Sequence, residues 1–397
     1  MTFEYSKRVP HNDNDVVGEI LEAAANPAVI SFAGGLPAPE LFPVEGMKKA
    51  ADTVFDNEGQ TALQYSNAVG ETVLREEIVK LMTDRGVDTS VEHVGVTTGS
   101  EQSIDLLAKM FVNPGDTVIV EEPTYLCTLD VFRSYGANIV GVEMDENGMR
   151  MDKFEEALKA HPEAKLVYTI PTFQNPTGRT MSVDRRKKFV ELANKYDLLV
   201  MEDDPYGAIR YEGEELPPLK KFDTQDRVVY MSTFSKILAP GMRLGWIVCN
   251  VDVLSNFVVM KQSADLHSDN LSQHIIATFL KQNDVYEHIK KISDLYRHRF
   301  ELMLDYIKKE FPADAKHSHP EGGMFIWIEL PGEVDTMELF KTCVEHNVAF
   351  VPGDAFYPNK PKMGTFRLNF SNVDDETIEV GMKRLGTALK EALEATK

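Results

Sequence analysis

Basic residues are in short supply: 42 Lys and Arg face 63 Asp and Glu over 397 residues, a formal charge of −21. An acidic surface of this kind argues against nucleic acid or anionic membrane as a partner, and an anionic substrate then needs a local basic pocket. Cysteine is scarcer still. Cys127, Cys249 and Cys343 stand far apart with no Cys-x-x-Cys pair, which reads as reduced core thiols in a cytosolic protein. No stretch approaches 18 uninterrupted apolar residues, and the opening Met-Thr-Phe-Glu-Tyr-Ser-Lys has no apolar signal core, so neither a membrane span nor secretion is expected. A cytoplasmic location follows. Repeats, low-complexity tracts and Ser/Gly linkers are missing too. Gly34-Gly35 is not continued into G-x-G-x-x-G, which removes a dinucleotide fingerprint. His317 and His319, like His288 and His298, lack acidic or Cys partners at ligand spacing, so no metal site is expected.

What is present is alternation. The length exceeds one ordinary core, so two domains are expected. Between about 94 and 250, β-branched runs at Val94–Thr97, Thr117–Glu121, Asn138–Val142, Leu166–Ile170, Leu198–Glu202, Val228–Ser232 and Leu244–Cys249 alternate with helical stripes. Ile104, Leu107, Ala108 and Phe111 form one stripe; Phe189, Val190 and Ala193 form another after an N-cap at Ser182. This predicts an α/β fold, a mainly parallel seven-stranded sheet covered on both faces. Only about ten residues containing Pro240-Gly241 separate the last two strands, too few for a parallel crossover, so Leu244–Cys249 is expected to run antiparallel. Long helices over 284–311 and at Ile378, Met382, Leu385, Leu389 and Leu393, with strands near Met324–Glu329, Val348–Val351 and Thr365–Phe370, predict a smaller α+β domain. The expected division is 1–45 as an N-terminal segment docking on the small domain, 46–290 as the large domain and 291–397 as the small one.

Ligands of open α/β sheets bind beyond the carboxyl ends of the strands. Asn175, Asp203 and Lys236 each stand just past a strand end, and a fourth end leads through Thr98-Gly99 into Ser100-Glu101-Gln102, the start of a helix. Free N–H groups of that first turn make an anion site. Thr233, Ser235 and Arg243 surround Lys236 with hydroxyls and a fixed positive charge, which suits a phosphate monoester and disfavours the ammonium form of the lysine. A lysine of lowered pKa is equipped for Schiff-base chemistry. Lysine plus phosphate cradle is the arrangement that holds pyridoxal phosphate (PLP).

Ala33-Gly-Gly-Leu-Pro37, Leu63-Gln-Tyr-Ser66, Thr98-Gly-Ser-Glu-Gln102, Glu122-Pro-Thr-Tyr125, Gln174-Asn-Pro-Thr-Gly178, Glu202-Asp-Asp-Pro-Tyr206, Ser232 to Arg243, Lys261 to His267 and Phe366-Arg-Leu-Asn-Phe370 together resemble the fold-type-I, PLP-dependent class I/II aminotransferases. The resemblance runs nearly end to end and is nearest to the 2-aminoadipate, kynurenine and broad-specificity aromatic branch. It implies Lys236 as the Schiff-base lysine and proton carrier, and Asp203 as partner of the ring nitrogen. Asn175 and Tyr206 would meet the ring oxygen, and Tyr125 would lie on the ring. Ser100, Gln102, Thr233, Ser235 and Arg243 would hold the phosphate, with Glu101 offering only its backbone N–H and turning its carboxylate away. Tyr65 would reach the phosphate from the other subunit of a homodimer. Arg367 would grip the substrate α-carboxylate, with Gly35 and Asn175 beside the substrate. The implied reaction is ping-pong transfer of an amino group from an L-amino acid to a 2-oxo acid, 2-oxoglutarate being the expected acceptor. A PLP-dependent C–S β-lyase shares the same machinery. The effector half of a transcription regulator shares the fold, but the acidic chain and the early start of the aminotransferase-like part speak against it.

Overall fold

The computed structural model describes residues 3–9, 18 and 26–395. Its strands, in chain order, are β1 (Ile30–Ser31), β2 (Val94–Thr97), β3 (Thr117–Glu122), β4 (Asn138–Asp145), β5 (Gly148–Met149), β6 (Leu166–Thr169), β7 (Leu199–Asp203), β8 (Val228–Thr233), β9 (Gly245–Val248), β10 (Lys316–His317), β11 (Phe325–Glu329), β12 (Val348–Ala349), β13 (Val351–Pro352) and β14 (Thr365–Asn369). The large sheet has the order β2-β9-β8-β7-β6-β3-β4-β5. Strands β4, β3, β6, β7 and β8 run parallel to one another, while β9 is antiparallel to both β2 and β8. The seven expected strands are all there. The structure adds an eighth, β5, a two-residue hairpin return on β4 too short to carry a strand pattern.

Burial on both faces explains why these strands read as continuous apolar runs. Val118, Val120 and Tyr168 pack with Ile104, Leu107 and Phe132 on one face; Ile119, Val167 and Val200 pack with Phe154, Phe189 and Val190 on the other. Helix Val183–Lys195 does start after Ser182, which has extended backbone, although its hydroxyl makes no capping bond. The helices Val285–Glu310 and Asp375–Ala395 pack on each other and share a core with a second, antiparallel sheet of order β10-β11-β14-β13. The expected strand over 348–351 is divided: β12 pairs with β1 in parallel, whereas β13 joins β14. The N-terminal run thereby meets the C-terminal part through main-chain bonds. The first part of the proposed docking segment lies mostly outside the described residues.

Candidate active site

Five strand ends converge on one cavity of about 190 Å³. Strand β2 ends at Thr97, and Gly99 turns the chain into helix Ser100–Phe111. Gly99 has φ +79°, and a Cβ there would sit 2.9 Å from Arg243 Nη2, so only glycine suits this turn. Gly245 of β9 admits the same turn from the other side: a Cβ would stand 2.9 Å from the Ser100 backbone nitrogen. Ser100, Glu101, Tyr125, Asn175, Asp203, Tyr206, Thr233, Ser235, Lys236 and Arg243 all line the cavity. Ten residues drawn from distant stretches of sequence are thus brought together.

Two charged groups dominate its floor. Lys236 Nζ donates to the Gly35 carbonyl at 2.7 Å. Burial, then the positive charges of Arg367 and Arg243, lower its pKa to about 8, with Asp203 opposing. The Asp203 carboxylate is buried at the end of β7. Its Oδ2 accepts from the Tyr168 hydroxyl at 2.7 Å, while Oδ1 is buried with no partner among the described residues. Burial lifts this carboxyl to about 7, more than the Tyr168 bond lowers it. An orphaned buried acceptor is costly unless a donor arrives.

Above them, Asn175 joins two residues. Its Nδ2 lies 3.5 Å from the Tyr206 hydroxyl, and its Oδ1 accepts from Arg367 Nη1 at 2.7 Å. Arg367 Nη2 donates to the Ala33 carbonyl, its guanidinium lies 4.2 Å from the Phe325 ring centroid and 5.0 Å from that of Phe356, and its Nε is buried without a partner among the described residues. Burial lowers its pKa to about 10, so it stays charged at neutral pH. Gly35 fits under Phe325, where a Cβ would be 3.1 Å from the ring. At the opposite end Thr233 Oγ1 lies 2.9 Å from Ser235 Oγ and accepts the Ser235 N–H.

Three expectations need correction or rest elsewhere. The Gln102 side chain does not face the cavity. Its Oε1 accepts from the Thr98 N–H and from Lys261, and its Nε2 donates to Asp265, so it braces the turn from behind. Lys261 is buried and paired with Asp265, which also accepts from the Thr98 hydroxyl. The Glu101 carboxylate does not turn away: it lines the cavity beside Tyr125, and burial raises it to about 7. Tyr65 lies outside the cavity, 78% exposed, its ring edge-on to His267 at 5.7 Å. Sequence reasoning missed Tyr168, Phe325 and Phe356. Tyr168 left one signal, a hydroxyl inside an otherwise apolar buried strand, which has to find a partner.

The donor set fits PLP. An unpaired buried carboxylate oxygen can take a ring N–H, a lysine of lowered pKa stands beside it, and a helix start, two hydroxyls and an arginine can take a phosphate.

Comparisons agree. The family described as aminotransferase class I and II matches residues 31–385. Aromatic-amino-acid aminotransferase 1 of Thermococcus litoralis is 42% identical over 95% of this chain and 92% of its own length. The 2-aminoadipate transaminase of Thermus thermophilus is 37% identical over 94% and 93%. The solved kynurenine aminotransferase of Pyrococcus horikoshii superposes with a TM-score of 0.94 at 39% identity, covering 98% of this chain and 97% of that one. The chain belongs to the class I and II aminotransferases and is a PLP-dependent enzyme of the PLP-transferase fold.

Proposed function

We propose that the enzyme moves the amino group of an L-amino acid with an aromatic, 2-aminoadipate-like or bulky aliphatic side chain to a 2-oxo acid, with 2-oxoglutarate as acceptor, in a ping-pong cycle. The single observation that carries this reading is Arg367, buried and charged, with Nε unpaired, linked through Asn175 to the Lys236–Asp203 cavity. A guanidinium held by two acceptors and two rings is preorganised for a carboxylate. The names of the relatives support the donor class. The dimer, the cytoplasmic location and the division at residues 45 and 290 belong to the same reading.

PLP, when bound, supplies the aldehyde that accepts the amino group and a ring that draws electrons from the substrate Cα. The protein supplies the rest. Asp203 Oδ1 would hold the ring nitrogen's proton, Asn175 and Tyr206 would hold the ring oxygen, Tyr125 would cover the ring, and Ser100, Thr233, Ser235 and Arg243 would take the phosphate. Arg367 would orient the substrate, and Lys236 Nζ would be the group that carries the proton at Cα. The Gly35 carbonyl, the acceptor of Lys236 Nζ here, would be freed once that amine joins the cofactor aldehyde.

Holoenzyme mixed with single amino acids should lose its visible band, release a 2-oxo acid and form pyridoxamine phosphate, and glutamate should appear only when 2-oxoglutarate is supplied. Pyruvate and ammonia released without an acceptor would replace this reading by the C–S β-lyase. Arg367→Lys should raise the donor KM by about tenfold or more, because lysine cannot offer the two-pronged contact. Gln102→Ala should weaken PLP binding by about 10–100-fold, as loss of a supporting contact does elsewhere. Pyridoxal, which has no phosphate, should bind the variant and the wild type alike. Equal loss for both would deny Gln102 its role behind the phosphate turn.

A further inference from the structure

Behind the cofactor cavity, on the other face of the same strand ends, lies a second cavity of about 670 Å³. Strand alternation puts it there: Asp203 and Thr233 face the first cavity, and Asp204 and Ser232, one residue away on each strand, face the second. Pro205 lines both. Ile237, the neighbour of Lys236, lines the second. Its volume falls within the roughly 300–1,000 Å³ of small-molecule sites.

The deep wall is aromatic and apolar, with Tyr230, Trp246 and Ile237 buried. Most of its polar groups are paired or acidic, Asp84 accepting from the Tyr286 hydroxyl, and the exception is Arg85. The Asp204 carboxylate is already taken, by Gly207 N–H at 3.0 Å, the Tyr230 hydroxyl at 3.1 Å and Arg85 Nη1 at 2.7 Å. Arg85 reaches both Asp204 and Tyr230 through Nη1, which leaves its Nε and Nη2 unpaired among the described residues. The Trp246 indole N–H and Arg210 Nε and Nη2 also have no partner among the described residues, but they sit behind the wall with no accessible surface, so the reachable donors are those of Arg85. A carboxylate answers such donors. At the exposed mouth the cations are spoken for: Lys290 pairs with Asp294 and Arg297 with Glu301, while Glu212 and Glu215 add negative charge. A second anionic group would be repelled there.

We propose that this cavity is a second binding site, for a monocarboxylic acid with an aromatic or bulky apolar body, whose occupancy reaches the catalytic centre through Pro205 and Ile237. Amino acids and 2-oxo acids share that chemistry.

The test is calorimetric titration of the holoenzyme with hydrocinnamate, which has neither an amino nor an oxo group to react. Two molecules should bind per chain, and the second should shift the pH midpoint of the visible band. Ala208→Phe, which fills the cavity, and Arg85→Lys, which keeps the ion pair with Asp204 but loses the planar fork, should each weaken the second event by about tenfold or more. Turnover without hydrocinnamate should be unchanged in both. Displacement of hydrocinnamate from this site by phenylalanine or by phenylpyruvate tells which source is preferred. One molecule per chain, or an undiminished second event in both variants, overturns the site. Two molecules with an unmoved band overturn the link to catalysis.

Discussion

Replacing Lys236 by alanine is expected to lower turnover by about ten-thousand-fold or more, the upper range for loss of a positioned proton carrier. No neighbour can substitute. Lys261 is buried but tied to Asp265 and Gln102 on the far side of the phosphate turn. The Tyr206 hydroxyl is raised by burial, so it does not give up its proton near neutral pH. Arginine at position 236 should be equally inactive, since it keeps its charge at any working pH. The pKa of about 8 adds a pH test on the wild-type chain. The amine is neutral above that value and charged below it, so the rate at which the cofactor-free chain takes up PLP should rise through pH 8 and then level off. Steady-state rates of the variants, measured with PLP present in excess, check the first part; stopped-flow absorbance checks the second. An alanine variant within tenfold of wild type would remove Lys236 from its role.

Much of this architecture could be read from the sequence because its causes are local. Runs such as Thr117–Glu121 are apolar throughout because both sheet faces are covered, and the short link through Pro240-Gly241 permits only an antiparallel return. Eight of the ten cavity residues were legible because strand ends, the loop around Lys236 and a helix start mark where ligands sit, whereas Tyr125 and Tyr206 came only from the family resemblance. What the sequence hid depends on rotation and on distant partners. Successive residues of a helix turn by roughly 100°, so Ser100 and Glu101 face the cavity while Gln102 swings behind it. The partners that hold Gln102 there, Lys261 and Asp265, come from a helix some 160 residues on. The aromatic rings around Arg367 likewise come from β11 and from the segment at Phe356, which no local pattern links to it.

Asp203→Asn should cost about a thousandfold in turnover, the range for deleting a preorganised charge aimed at the reacting system, and yet should make the cofactor-free protein more stable at pH 8. The two effects share one cause. In the folded chain burial raises the Asp203 carboxyl from 3.8 to about 7, with Oδ1 unpaired. Between those values the folded state binds more protons than the unfolded one, so stability falls as pH rises, and the penalty is complete above about 7. Glu101, Glu121 and Glu202, each raised to about 7 by burial, add to the same slope. Asparagine cannot ionise and can still accept the Tyr168 hydroxyl, so it removes the share due to Asp203 alone. A protonated ring nitrogen held at Oδ1 would reverse the account: beside that cation the carboxylate would be the favoured form, and the wild type would gain more from cofactor than the variant. Melting temperatures of both proteins, with and without PLP, at pH 6 and pH 8 would show it. The cofactor-free variant should lose less stability than wild type between the two pH values, and its gain from PLP should be smaller. A variant that melts below wild type at pH 8 without cofactor, or that keeps its turnover, would mean that this buried carboxylate is stabilised by something other than a ring nitrogen.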